Sequence, residues 1–287
     1  MWLWVSRRPV WLWVSRRRVL ATLACVLQAF DGGAVFGERW GGDPDGTPLV
    51  VALHGWGRDH ADFAGVVGPG AAGGPLPALA LDLPGFGASP PPPDPWGSAQ
   101  YAEAVVRVLT GPDGPPGPVV IVGHSLGGRV GVRVAAARPD LVAGLALCGA
   151  PVGPRVRPRA RPAAGFRAVR RLHRLGLVGE GAMERARQRY GSSDYRAAAG
   201  VMRPVLVRMI AEDYAEPVAA LRCPVELVWG DDDDVVPLAM ARTLVATIPD
   251  ARLTVCPGAG HFVPTAAPAD LRSAVERLVS ERGAQAR

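Results

Sequence analysis

Lysine is absent from the 287-residue chain: all 32 basic residues are arginine, against 26 acids, for a formal net charge of +6. Without lysine there is no phosphate-gripping group for a P-loop, so the glycines at 123 and 127 cannot form a nucleotide cradle of that kind. Arginine used to the exclusion of lysine, beside 36 glycines and 29 prolines, reflects a bias in coding composition. The positive charge is therefore no argument for a nucleic-acid partner, and none is expected. Long apolar runs are missing too, since Ala21 to Leu27 falls far short of the roughly 20 residues of a membrane span. Four cysteines and five histidines show no zinc-ligand spacing, so no metal and no cofactor is expected.

What the chain does contain is a serine at a sharp corner. The apolar run Pro118 to Val122 leads through Gly123-His124-Ser125-Leu126-Gly127 into the helix-forming stretch Gly128 to Ala136. That is the pattern of a nucleophile elbow, in which a strand turns into a helix and holds the serine in a sparsely populated backbone conformation. Gly123 and Gly127 stand where the turn leaves no room for side chains. The helix start then places the Leu126 N–H and a positive dipole end beside the hydroxyl.

A serine hydroxyl needs a base to take its proton, and the base needs an acid to hold its tautomer. Downstream, the apolar run Val225 to Trp229 ends in Gly230-Asp-Asp-Asp-Asp234-Val-Val-Pro237, a buried strand delivering carboxylates at its C-terminal end. After a helical stretch, Ala239 to Ile248, the short strand Arg252 to Cys256 runs into Pro257-Gly-Ala-Gly-His261. His261 thus lies on a glycine-rich loop beyond the carboxylates. Aspartates favour turns for their own reasons, and composition leaves open which of the four would serve.

In this order, serine, then aspartate, then histidine, the chain resembles the α/β-hydrolase superfamily. Four segments carry the likeness: His54-Gly-Trp-Gly57 after the strand Leu49 to Leu53, the loop Asp82-Leu-Pro-Gly-Phe-Gly-Ala-Ser89, the elbow, and the pair Gly230…Pro237 with Gly260-His261. The resemblance implies a doubly wound, mostly parallel α/β sheet with an inserted helical cap. It implies that Ser125 is the nucleophile, His261 the base, and Asp233 the acid, since the family's acid lies three after the glycine and four before the proline. The N–H groups of Trp56 and Leu126 would form the oxyanion hole. His54 would brace its loop and His124 would fill space beside the serine, while His60 and His173 belong to no constellation. The family's strand order also sets Cys148 and Cys256 one strand apart, too far for a disulfide, with Cys223 at the opposite edge; all three read as small buried residues.

The resemblance divides the chain into a basic N-terminal extension (1–25), a first core part (26–150), a helical cap (151–216) and a second core part (217–287). Residues 1–30 carry five arginines and no acid, residues 154–216 carry 14 arginines against six acids, and the remainder carries 13 against 20. The core is therefore acidic and the excess positive charge sits in two appendages. In the cap, Phe166, Val169, Leu172 and Leu175 alternate with Arg167, Arg170, Arg171 and Arg174, giving a helix with one apolar and one basic face. The expectation is that the apolar face packs on the core and the arginines are solvated; the sharper alternative sets some arginines against acidic substrates or an anionic surface. A second helix is expected from Pro204 through Ala211.

The N-terminus repeats Trp-Leu-Trp-Val-Ser-Arg-Arg at residues 2–8 and 11–17. Ser15-Arg-Arg-Arg-Val-Leu20 is similar to a twin-arginine export signal, but no A-x-A cleavage site follows, and residues 26–33 already read as the first strand and its turn. A cytoplasmic protein is favoured over an exported one and over membrane association. The expected activity is hydrolysis of a small-molecule acyl substrate (carboxylic ester, lactone or thioester) through an acyl-enzyme. Rivals are a cofactor-free haloperoxidase or perhydrolase, a C–C bond hydrolase, and a catalytically silent ligand-binding member. Serine at the elbow counts against haloalkane dehalogenases and epoxide hydrolases, which use aspartate. Neither the substrate nor the oligomeric state is legible.

Overall fold

The computed structural model describes residues 26–42, 49–154 and 164–285. The expectations for residues 1–25, including the Trp-Leu-Trp repeat and the likeness to a twin-arginine signal, lie outside them. In chain order the elements are β1 (Leu27–Phe30), β2 (Val35–Trp40), β3 (Val50–Leu53), β4 (Ala78–Asp82), α1 (Ser98–Thr110), β5 (Val119–His124), α2 (Leu126–Ala137) and β6 (Val142–Cys148). Then come α3 (Ala164–Arg174), α4 (Glu180–Tyr190), α5 (Ser193–Ala197), α6 (Met202–Ala211) and α7 (Ala215–Ala219). The chain closes with β7 (Val225–Gly230), α8 (Leu238–Thr247), β8 (Ala251–Cys256), α9 (Val263–Ala266) and α10 (Pro268–Gln285).

The eight strands form one sheet in the order β1-β2-β4-β3-β5-β6-β7-β8. A short turn, with Gly32 and Gly33 at positive φ, folds β1 onto β2 as an antiparallel hairpin. The β2–β4 pairing is also antiparallel, and every pairing from β4 to β8 is parallel. Central strands covered on both faces read as unbroken apolar runs, and all six residues of β5 are buried. Their alternation divides two cores: Val51, Leu53, Val119 and Ile121 face the layer with α1, α2 and α8, whereas Val50, Ala52, Val120 and Val122 face α10. The doubly wound architecture is the one the sequence implies.

Sheet order reverses at β3, which pairs β4 on one side and β5 on the other. In such sheets ligands bind outside the carboxyl ends of the strands at the reversal. Leu53 at the end of β3 lies opposite Gly123 near the end of β5, so the loops holding Trp56 and Ser125 leave the sheet side by side. Further along the same edge, β6, β7 and β8 end at Cys148, Gly230 and Cys256. Cys148 and Cys256 flank β7 and are buried free thiols. Cys223 is free as well but only half-buried, because it precedes β7 at the less covered edge.

Between β6 and β7 the chain builds helices, as expected, but two of them, α4 and α5, carry no clear apolar period in the sequence. The second expected helix appears as α6, starting two residues early at Met202. One expectation is overturned. The apolar stripe of α3 does not pack on the core: no residue of α3 is buried, and the helix leans chiefly on α4, with Phe166 beside Tyr190 at 6.4 Å. It is α6 that reaches the core, through Val205 and Met209.

Candidate active site

Ser125 is one of two non-glycine residues with positive φ among those described (φ 47°, ψ −103°). That conformation is strained for any residue with a Cβ, and the surroundings impose it. The Ser125 N–H donates to the Cys148 carbonyl at 2.9 Å, the Arg129 N–H donates to the Ser125 carbonyl at 3.1 Å, and the Gly127 N–H donates to the His54 carbonyl at 3.0 Å. A Cβ on Gly127 would fall 1.9 Å from the Leu53 oxygen, and one on Gly123 would fall 2.7 Å from the Gly127 backbone. The elbow thus needs glycine on both sides because three backbone segments meet there.

His261 donates Nδ1–H to Asp233 Oδ2 at 2.9 Å, so Asp233, of the four consecutive aspartates, is the one brought to the histidine. Its other oxygen, Oδ1, accepts from the Val235 N–H at 2.9 Å and the Val236 N–H at 2.7 Å. The carboxylate is thereby pinned by the turn it sits on, and its side chain is fully buried while that of His261 keeps 10 % exposure. Asp231 instead caps the Gly258 N–H at 2.7 Å. With Nδ1 protonated and engaged, Nε2 of His261 is the nitrogen free to accept a proton. The loop that carries His261 sits tightly on β7: a Cβ on Gly230 would approach the Ala259 oxygen to 2.1 Å. Ser125 Oγ itself makes no hydrogen bond with a described residue; the serine and the histidine lie at the ends of neighbouring segments, the Ser125 N–H fixed to β6 and the His261 ring lying over Gly149 just past it.

Among the described residues, neither the Trp56 N–H nor the Leu126 N–H donates to another protein group. Leu126 is the first residue of α2, whose opening amides have no acceptor within the helix. The Gly127–His54 bond stitches the two loops together, and the Trp56 ring is held edge-on against Phe86 at 5.0 Å. The loop before Phe86 is anchored in turn by His54, whose Nε2 accepts from the Leu83 N–H at 2.9 Å while Nδ1–H donates to the Gly55 carbonyl at 2.7 Å. Full burial lowers the pKa of His54 and keeps it neutral, which the Leu83 bond requires.

Two histidines do more than the sequence implies. His60, expected to belong to no constellation, is hydrogen-bonded to the buried Asp82 through both its N–H and its ring Nδ1, each at 2.8 Å, with Glu38 3.7 Å from the other ring nitrogen. The bond to Asp82 raises the His60 pKa; burial opposes ionisation of Asp82, but the bonds from His60 and the Ala88 N–H outweigh it and lower that carboxyl. Asp82 so closes its loop that a Cβ on Gly87 would strike the carboxylate at 2.2 Å. The signal was the Asp82…Gly87 spacing; the partner lies 22 residues earlier and carries no local sign. His124 donates Nε2–H to the His261 carbonyl at 2.9 Å, and its ring lies 4.9 Å from that of His261. Its Nδ1 is buried with no hydrogen-bond partner among the described residues, and burial pushes its pKa down to about 4. His124 is therefore a neutral strut under the histidine loop.

From the helical insertion, α6 closes on this edge: a Cβ on Gly85 would meet Met202 at 2.4 Å, and Arg129 of α2 bonds the Met209 carbonyl. Arg129 and Arg133 both lie over the Tyr214 ring, at 5.4 and 5.0 Å, and the Ser98 N–H donates to Glu212 at 2.9 Å. These contacts fasten the return of the insertion to α1 and α2. Among the described residues, no group of histidine, cysteine and carboxylate side chains could hold a metal ion.

Residues 50–274 match the model of the alpha/beta hydrolase family. A pimeloyl-[acyl-carrier protein] methyl ester esterase of Chromobacterium violaceum is 32% identical over 247 residues, covering 79% of this chain and 91% of the relative. A 2-hydroxy-6-oxononadienedioate/2-hydroxy-6-oxononatrienedioate hydrolase of Cupriavidus pinatubonensis is 28% identical over 244 residues, 76% of this chain and 81% of the relative. In fold, the chain is similar to a serine hydrolase involved in carbazole degradation, with a TM-score of 0.65 at 22% identity, over 90% of this chain and 100% of the other.

Proposed function

Because the chain belongs to the alpha/beta hydrolase family and is a hydrolase, we propose that it cleaves small carboxylic esters by a Ser125–His261–Asp233 triad. The observation that carries the reading is the Asp233–His261 hydrogen bond of 2.9 Å on the same sheet edge as a serine forced into positive φ. In this mechanism His261 Nε2 takes the proton of Ser125 as Oγ attacks the ester carbonyl. The tetrahedral oxyanion is met by the unengaged N–H groups of Trp56 and Leu126, donors of a kind that contribute about 3 kcal/mol each to the transition state. Charge that builds on His261 is balanced by Asp233. His261 then hands the proton to the leaving alcohol, and water, deprotonated by the same nitrogen, releases the acid and restores Oγ–H.

The preference for an ester over other acyl compounds is supported by the relative named as a methyl ester esterase. The relative that hydrolyses an oxo-dienedioate makes C–C bond cleavage the second reading. The test is turnover of a panel of p-nitrophenyl and methyl esters beside a vinylogous diketone acid, with rapid-quench mass spectrometry for an acyl adduct. An adduct on Ser125 and ester turnover support the proposal; turnover of the diketone acid alone overturns it.

A further inference from the structure

α3 is a strongly amphipathic helix that the fold leaves half unused. Leu172, Leu175 and Leu177 are 39%, 63% and 68% exposed. Arg167, Arg170, Arg171 and Arg174 are exposed as well, and none of the four pairs with a described acid. At about 100° per residue these arginines share one face with Leu175 at its border and Leu172 about 60° beyond it, while Phe166 and Val169 turn towards α4. The helix end adds the third leucine: Gly176 at φ 71° lets the Leu177 N–H donate back to the Leu172 carbonyl at 2.9 Å, which folds Leu177 back onto the last turn of the helix.

We propose that α3 docks this face on an anionic lipid surface. Four exposed guanidinium groups with no acidic partner among the described residues, beside three exposed leucines, are complementary to an interface that is negative above and apolar just beneath. The charge excludes a second copy of the same face, which would set arginine against arginine. An acidic protein partner fits less well: eleven residues of helix span about 16 Å, a convex rod too short to offer the ~800 Å² per partner of a stable protein interface. A bilayer needs no such recess. The chain's composition points the same way, because residues 1–25 add four tryptophans and five arginines with no acid, the side chains that favour a membrane interface; among the described residues no helix is long and apolar enough to cross a membrane.

The test is flotation of the full chain with vesicles of phosphatidylcholine alone or with added phosphatidylglycerol. The chain floats with the anionic vesicles, not the neutral ones, and is released at about 1 M salt, where the Debye length is only about 3 Å. The combined change R167Q/R170Q/R171Q/R174Q lowers the affinity at least tenfold, and so does L172Q/L175Q/L177Q. Both variants hydrolyse a water-soluble ester as the unchanged chain does, which also shows that they fold. Should a combined variant fail to fold, Arg171→Gln and Arg174→Gln alone each weaken binding about fivefold. Absence of flotation overturns the proposal, as does flotation indifferent to the α3 substitutions. Binding to poly-glutamate as tight as to the vesicles and indifferent to the leucine changes overturns it too, in favour of an acidic protein partner.

Discussion

Replacing Asp233 by asparagine separates the role of its charge from that of its shape. Oδ1 accepts two backbone N–H groups, from Val235 and Val236. In Asp233→Asn the amide oxygen must take that place, because an NH2 group there would face two donors in a buried turn, at a cost of about 1–3 kcal/mol for each unpaired group. The NH2 group is then forced towards His261 Nδ1, now 2.9 Å away as a donor's neighbour. His261 can satisfy it only as an acceptor, which moves the ring proton to Nε2 and leaves no base facing Ser125. The fold should survive, with a change of at most about 1 kcal/mol in stability, since every hydrogen bond of the turn is kept. Activity should not: the wrong tautomer costs about 10⁴-fold in kcat, near 5.5 kcal/mol. The assay is p-nitrophenyl acetate hydrolysis at neutral pH, corrected for the spontaneous rate, beside a thermal melt. A variant that melts normally and keeps kcat within tenfold refutes the assignment of Asp233 as the acid.

Further consequences follow from the glycines and from His60 and His124. Gly127→Ala puts a methyl 1.9 Å from the Leu53 oxygen and should cost more than about 4 kcal/mol, whereas Gly181→Ala, exposed in the first turn of α4 where a Cβ would meet only the Arg185 side chain at 3.7 Å, should add about 0.5–1 kcal/mol; chemical denaturation distinguishes them. His60 has a raised pKa in the fold, so its pairing with Asp82 stabilises most below about pH 6.5 and fades as pH rises through the folded value. The gap in melting temperature between the unchanged chain and His60→Gln should accordingly be wide near pH 5.5 and narrow by pH 9. His124 acts in the opposite sense: its folded pKa of about 4 means that acidification from pH 6.5 towards 4 protonates the unfolded chain first and destabilises the fold, by up to about 3 kcal/mol. His124→Phe should flatten that part of the stability profile, as read by denaturant midpoints.

The sheet and the elbow were legible because their signals are local. Buried parallel strands leave unbroken apolar runs, and the glycines around Ser125 mark a place where backbone meets backbone. Asp233 was legible only through its distance from Gly230 and Pro237; nothing in four identical aspartates shows that one of them is held by the Val235 and Val236 amides. The periodicity of α3 announced an amphipathic helix correctly and its burial wrongly, since a pattern states which side chains share a face and not what the face meets. His60 and Asp82, on segments 22 residues apart, meet only because β3 and β4 are neighbours. The short helices α4 and α5 are rich in arginine and polar residues and are held by packing within the insertion, through pairs such as Arg203 with Glu184, which no single segment displays.

The central claim is that Ser125 is the nucleophile, and labelling with a fluorophosphonate tests it most directly. Intact mass and peptide mapping should find one phosphonyl group on Ser125 of the unchanged chain, and Ser125→Ala should take up none while losing ester turnover. A label retained in Ser125→Ala, or ester turnover that persists there, would contradict the account.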